Sequence, residues 1–471
     1  MDDLKYVGEF QLEELHIVLA SRIKPFNIKG NFNGLILYED IFEPVLSGDL
    51  LITDPISLST LGPITGQEEL LIKLKTPTIN DSSKIIEFID QPLVITNISK
   101  RQAIANDVEG YVLSFTTRQV LKDRRAKISK SLTGTYSDIV KQMFIASGCD
   151  KRPMYIEPTS GIKRLITTNE HPFDIIQTCA SNAKSLKTKS PTYVFFENIR
   201  GFHFRSLDSM YAQKSIHTYE PKTAGTMMKN GIHLIKEELE NIIDYRIRMG
   251  QDTLSQTDKG IFGSNLIVWN MFDKSYSTKQ YDMIKEQENE YNINHYHGTG
   301  GDFSPYSETL DKDGVGLSEN PSKTFLTTTS DKMSGVNSTF VLDNGNFPIS
   351  PTDDLVVKQR RRSQMYRVHE GVDLEIKVYG NTLISVGDII TCNIPTKMTV
   401  DKNATEILDK RYSGEYLVTH IRHDFNPQDK WKHEMQIKLT RDSIQEKIEV
   451  QPTAYPNTKT SYDIVYDEYY F

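Results

Sequence analysis

The first 120 residues break into short apolar runs, each closed by a turn signal, and that pattern confines them to a β-rich fold. LHIVLASRI leads into the Asn/Gly cluster NIKGNFNG. LILYEDIF and SGDLLITD follow, ELLIKLKTP stops at Pro77, and PLVITNISKRQ and GYVLSFTTRQVL complete the set. β-Branched and aromatic residues suit a pleated, half-buried surface, while Gly, Asn, Asp and Pro end the runs.

The pattern changes near residue 121. After the basic stretch LKDRRAKISKSL, GTYSDIVKQMFIASGC predicts a helix with Ile139, Met143 and Ala146 on one face and Gly148 ending it. HPFDIIQTCASNAKS predicts another, with Pro172 in the first turn, where a missing N–H costs little. PTYVFFEN and GFHFRSL read as a hairpin turning through Asn198-Ile199-Arg200-Gly201. The expected organisation is a β-domain over 1–120, a small α+β domain over 121–225, and a second β-domain over 226–273 and 351–445. Residues 274–350 read as a polar insertion and 446–471 as a tyrosine-rich tail. DDLVVKQRRRSQMYRVHEG reads as a helix capped by Asp353 or Asp354. Four strands follow, in VDLEIKVYG, SVGDIITCNIP, GEYLVTHIRHDF and KHEMQIKLTRD. The fold class is therefore α+β and β-rich.

One internal echo links the two ends. Laid without gaps, the stretch from Leu93 and the stretch from Tyr416 place Thr96 over Thr419, Ile98 over Ile421, Thr117 over Thr440 and Arg118 over Arg441. Each reads strand, polar turn, strand, after an apolar strand ending near Pro77 or Pro395. The apolar phase slips by one in the second strand.

Charge and cysteines exclude several classes. The chain has 471 residues, or about three domains. A net charge of −8 argues against gripping nucleic acid through its phosphates. Cys149, Cys179 and Cys392 lie far apart, form no CxxC pair, and read as thiols in a reducing compartment. The N-terminus carries no secretory pattern, and no apolar run is long enough to span a membrane.

Candidate chemistry is sparse. Glu39, Asp40, Glu43, Asp49 and Asp54 could supply an acid/base pair, but acids in turns beside strands read as solvated groups. His295 and His297 lack a third ligand at matching spacing. His420, His423 and His433 read as solvated residues of the last hairpin. GTGGD (298–302) lacks the Lys-Ser/Thr of a phosphate loop. KQRRRSQM reads as a helix face meeting acidic neighbours. No catalytic, cofactor-binding or metal-binding residue is assigned.

In order along the chain, ILYEDIFEPVLSGDLLITDP, SPTYVFFENIRGFHFRSLDSM, FGSNLIVWNMFDKSY, LEIKVYGNTLISVGDIITCNIP and YSGEYLVTHIRHDF with EMQIKLTRDSI resemble the baseplate hub subunit of contractile-tailed bacteriophages. The spacing of Gly380, Gly387 and Asp388 fits that pattern. The resemblance implies a non-enzymatic structural protein with two barrel-like tube domains. Three copies would form a ring of six similar domains, joining the tail tube to a central spike and letting DNA pass. It implies a homotrimer that meets spike, tube or tube-initiator, and neighbouring baseplate proteins, assembled in the host cytoplasm into the virion, with the spike a separate polypeptide. The competing readings are a tail-associated peptidoglycan hydrolase and the hub of a related bacteriocin or secretion apparatus. Ring burial would make a charge at Ile389 or Ile390 costly.

Overall fold

Alternating burial along the strands builds the core directly. In β4 (Ser47–Asp54), Gly48, Leu50, Ile52 and Asp54 point inward while the residues between them face out. The computed structural model describes residues 7–444 apart from 20–24, 56–63, 65, 67, 77–84, 106–107, 149–151, 222–227, 230–231, 234–237, 250–251, 272–273, 288–291, 294–315, 317, 330–337, 343–344, 350, 397–407 and 410. Cys149, His295, His297, residues 298–302 and the tail at 446–471 therefore lie outside the described residues.

The protein is α+β and strongly β-rich. The first unit holds β1 (Gln11–Val18), β2 (Phe26–Asn27), β3 (Phe32–Asp40), β4, β5 (Glu69–Lys75), β6 (Ile85–Ala105) and β7 (Val108–Thr117). The middle region holds β8 (Ile128–Gly134), β9 (Met154–Ile156), β10 (Lys163–Glu170), β11 (Tyr193–Asn198), β12 (Gly201–Ser206) and β13 (Ser215–Tyr219). Next come β14 (Met228–Lys229), β15 (Ile232–His233), β16 (Ile242–Met249), β17 (Gly263–Asn270), β18 (Ser275–Asp282) and β19 (Lys323–Thr329). The last are β20 (Ser338–Leu342), β21 (Gly345–Ile349), β22 (Val372–Tyr379), β23 (Ile389–Cys392), β24 (Gly414–Asn426) and β25 (Lys432–Arg441).

One 13-stranded sheet runs through both ends of the chain. Open twisted sheets rarely exceed about ten strands without curling. Here the sheet serves two separate cores. One packs Leu15, Leu50, Leu113 and Phe115; the other packs Ile376, Ile390, Leu417 and Ile437.

The two halves repeat one topology. The first pairs in the order β3-β4-β7-β6-β5, the second in the order β16-β22-β25-β24-β23. In chain order, both are first, second, fifth, fourth, third. The irregularities repeat as well. The β3–β4 register shifts between Phe32 and Gly34, and β16–β22 shifts between Ile242 and Asp244. β6–β7 shifts between Ile95 and Asn97, and β24–β25 between Val418 and His420. The bulged residues of the last two pairs are Thr96 and Thr419. Each hydroxyl donates across the ladder, to Ser114 O at 3.2 Å and Lys438 O at 3.1 Å. A β-bulge bends and re-aims a strand, so one placed identically twice marks a shared local shape.

The structure also corrects the echo by one residue. Leu93 pairs with Thr117, but Leu417, not Tyr416, pairs with Thr440. Thr117 therefore matches Arg441, and Thr116 matches Thr440. This sets buried Tyr111, Leu113 and Phe115 over buried Met435, Ile437 and Leu439, removing the apparent phase slip.

The middle region packs two helices on the β11–β12 hairpin. Helix Tyr136–Ala146 is capped by the Thr135 side chain, which accepts from Asp138 N. Its buried face is Ile139, Val140, Met143 and Phe144, whereas Ala146 is exposed, contrary to the expected stripe. Pro172 opens helix Pro172–Asn182 as its sequence suggests. Phe144 meets Phe202 edge-on at 5.1 Å, and Phe173 meets Phe195 at 5.4 Å.

β18 and β19 flank β17 in a regular three-stranded sheet, so part of the polar stretch 274–350 is sheet. Helix Pro351–Glu370 begins two residues before the expected cap at Asp353. In its basic run, the charge of Arg360 favours the ionised form of the buried Asp208 carboxyl. Arg361 donates to Pro191 O and Tyr193 O at 2.7 and 2.9 Å, and Arg362 lies 4.7 Å over the Phe325 ring.

Candidate functional site at the seam between the two units

β24 changes partner along its length. Its first residues pair with β23, and from His420 to Phe425 the strand pairs antiparallel with β3 of the other unit. This seam makes the two sheets one.

A buried polar chain crosses it. Glu39 Oε1 lies 2.9 Å from His423 Nε2, His423 Nδ1 lies 3.1 Å from His433 Nε2, and His433 Nδ1 lies 2.9 Å from Thr76 Oγ1. Glu39 Oε2 also accepts from Val386 N at 3.4 Å. Glu39 and Thr76 belong to the first unit, the histidines to the second. Burial, and then His423, holds the His433 imidazole well below its usual range, so it stays neutral. With His433 neutral, Thr76 O–H donates to His433, His433 N–H to His423, and His423 N–H to Glu39.

The backbone locks the same residue. His433 N donates to Gly8 O at 2.7 Å, and Gly380 N donates to His433 O at 2.8 Å. A Cβ at Gly380 would sit 1.9 Å from His433 Nδ1, so the side chain there has to be absent.

These positions overturn the solvated reading of Glu39, Asp54, His423 and His433, all of which are buried. Inward alternation puts them there. Asp54 accepts from Tyr111 Oη at 3.1 Å, Asp49 from Ser114 Oγ at 2.7 Å, and Asp40 meets the half-exposed His420 at 3.0 Å. Glu43 is exposed. The five acids thus fall into separate environments. Glu39, His423, His433 and Thr76 are at most 2% exposed, which leaves no route for a substrate. Among the described residues, no group of His, Cys, Asp or Glu could hold a metal.

The middle hairpin wedges against both units. Glu197 accepts from Arg152 Nε at 2.9 Å and from Leu46 N of the first unit at 3.2 Å. Asn198 Nδ2 donates to Val386 O at 3.2 Å. Arg200 forms a bidentate pair with Asp388 at 2.7 and 2.5 Å, and Gln213 donates to Gly387 O at 2.7 Å. Gly387 has φ +88°, a left-handed turn that presents Asp388 to Arg200. The sequence marks this hairpin and this turn, but nothing in it says that they meet.

His203, on the same hairpin, stacks between Phe196 and Tyr155 at 4.9 and 4.8 Å. Burial, then Arg205 and Arg200, push its imidazole down to about 3. The unfolded chain takes a proton near pH 6.5 and the native one does not, so this stability is full above pH 6.5 and lost as pH falls toward 3. Each unit below 6.5 costs about 1.4 kcal/mol. His203→Phe keeps a ring in the stack and removes the titration. Urea unfolding at pH 7.5 and 5.0 is expected to show the parent losing about 2 kcal/mol more than the variant; equal losses would show that His203 takes its proton in the native state.

On the solvent side, the seam borders an open cavity of about 480 Å³, lined by Asp40, Asp244, Arg246, Lys377, His420 and Arg422 among others. Acids and bases pair across this face, as in Lys377–Glu434 at 2.7 Å and Lys438–Asp373 at 3.3 Å.

No protein-family model matches the chain, and no curated protein matches it. Among solved structures, a tail protein from Neisseria meningitidis MC58 matches at 11% identity and TM-score 0.50, covering 92% of this chain and 97% of that one. The chain has the fold of this tail protein. A prophage MuSo2 43 kDa tail protein from Shewanella oneidensis matches at 9% identity and TM-score 0.48, covering 91% of this chain and 99% of that one. A type VI secretion component from Escherichia coli matches at 9% identity and TM-score 0.41, covering 93% of this chain and 78% of that one. Among the described residues, no helix is long and apolar enough to cross a membrane.

Proposed function

We propose that the chain is a structural baseplate hub of a contractile phage tail. Three copies set their six β-units in a ring that joins the tail tube to the central spike and lets DNA pass. The repeated topology with its coinciding bulges carries this reading, because a chain holding two like units converts threefold into near-sixfold symmetry. The tail-protein fold supports it. The partners are two further copies, spike, tube or tube-initiator, and neighbouring baseplate proteins, in a virion assembled in the host cytoplasm. Paired acids and bases on the solvent face of the second unit suit a wall that gives DNA phosphates no basic track. Electron-microscopy class averages of the purified chain, alone and co-expressed with candidate spikes, are expected to show threefold rings with six lobes and a hole wide enough for duplex DNA. Monomers under every condition would refute the hub and reopen the hydrolase reading.

A further inference from the structure

Two sheet edges that are joined inside the chain have counterparts that are open. In the seam, the far part of β24 is covered by β3. The matching strands of the other halves are β6 for β24 and β16 for β3. β6 runs on past β5, and among the described residues its stretch from Asn97 to Ile104 has β7 on one side and no strand on the other. Among the described residues, β16 ends the sheet with β22 as its strand partner, and its first residue alone is met on the other side, where Ile242 N donates to Glu220 O at 3.1 Å. Both edges are exposed: Asn97 and Lys100 through Ile104 on β6, and Ile243, Asp244, Arg246 and Arg248 on β16. Open edges of this length present unpaired backbone groups that favour addition of another strand.

We propose that β16 of one copy pairs antiparallel with the far part of β6 in the next copy, repeating between chains the seam that β3 and β24 make within one. This rests on the hub reading and gives it an interface. The occupant is a second copy because the complementary edge is present in the same chain and the template is present in the same sheet. The contact is head-to-tail, so it generates a ring when the rotation closes.

The bulges fix the register. Gly34 matches Asp244, so Tyr38 matches Arg248 and Glu39 matches Met249. Asn97 matches His420, so Ile98 matches Ile421 and Ser99 matches Arg422. Within the chain, Tyr38 faces Arg422 and Glu39 faces Ile421. Between chains, Arg248 therefore faces Ser99 and Met249 faces Ile98. Beyond Ser99, β6 carries a further shift that β24 lacks, so the assignment is confined to these pairs. Toward the far end of the edges, the exposed Ile104 and Ile243 supply apolar contact. The intrachain seam is closed at its corresponding end by Phe10, Phe32, Phe425 and Trp431.

The test is disulfide trapping in the full chain. Directly opposed antiparallel residues have Cα atoms about 4.5–5.5 Å apart, within disulfide reach. Ser99 and Arg248 of one chain lie on strands separated by six others, and a bond within one chain would run as a monomer on the gel. The Ser99→Cys/Arg248→Cys double variant, mildly oxidised, is expected to give a covalent trimer on a non-reducing gel. It should revert to monomer on reduction and be absent from either single variant. Native mass spectrometry of the unoxidised protein separates the failures. Trimers without this cross-link overturn the edge pairing and leave the hub reading standing; monomers without cross-link overturn both.

Discussion

Ile390→Asp is expected to destabilise the chain by more than 3 kcal/mol, enough to push much of it into the insoluble fraction. Ile389 and Ile390 are both fully buried, opposite Leu417 and Tyr416 of β24, inside the core of the second unit. Two costs add. Truncating a buried isoleucine loses about 2–5 kcal/mol of apolar packing, and an unpaired buried carboxylate costs several more unless it takes up a proton. Whole domains have only about 5–15 kcal/mol to lose. The sequence suggested that ring closure would bury this strand, whereas the burial lies within one chain. The loss should therefore appear in urea unfolding of the isolated monomer. Ile390→Val, which keeps the strand apolar, should cost only about 0.5–1.5 kcal/mol. An Ile390→Asp protein with the parent's unfolding midpoint would place β23 on the surface.

The strands were legible because their alternation is strong. Leu50, Ile52, Leu113 and Phe115 follow the period of two that a half-buried sheet imposes. Hairpin β11–β12 announced itself through its short turn, and the helix at 172–182 through its proline. The seam was only half legible. Glu39 shares a face with Leu35 and Leu37, His423 with Ile421 and Phe425, and His433 with Met435 and Ile437. Strict alternation would have sent all three inward. What the sequence withholds is that these faces meet. β3 and β24 lie hundreds of residues apart, and a polar residue on an apolar face becomes acceptable only once its partner is known. The one-residue offset in the echo had a similar origin. Hairpin length differs between the units, and an ungapped overlay cannot absorb it, while bulges fixed in space can.

Arg152→Ala is expected to cost about 3–5 kcal/mol, because it strands a carboxylate rather than trimming a surface ion pair. Glu197 is fully buried and Arg152 is 7% exposed, their contact 2.9 Å long. Arg152 also donates to Asn198 O at 3.3 Å and lies 5.1 Å over the Phe88 ring of the first unit, so its loss loosens the wedge between units as well. Burial already raises the Glu197 carboxyl above its usual range, against the pull of Arg152. Removing the guanidinium raises it further. A carboxyl whose native value exceeds its unfolded value binds its proton more tightly when folded, so acidification favours the native state. The deficit of Arg152→Ala should therefore shrink as pH falls from 8 toward 5, the reverse of the His203 effect. Adding Glu197→Gln removes the stranded charge while its carbonyl oxygen still accepts from Leu46 N. The double variant should recover more than half of the loss at pH 8 and show no such recovery with acid. A pH-independent deficit in the single variant would mean that packing on Phe88, rather than the buried charge, is what Arg152 contributes.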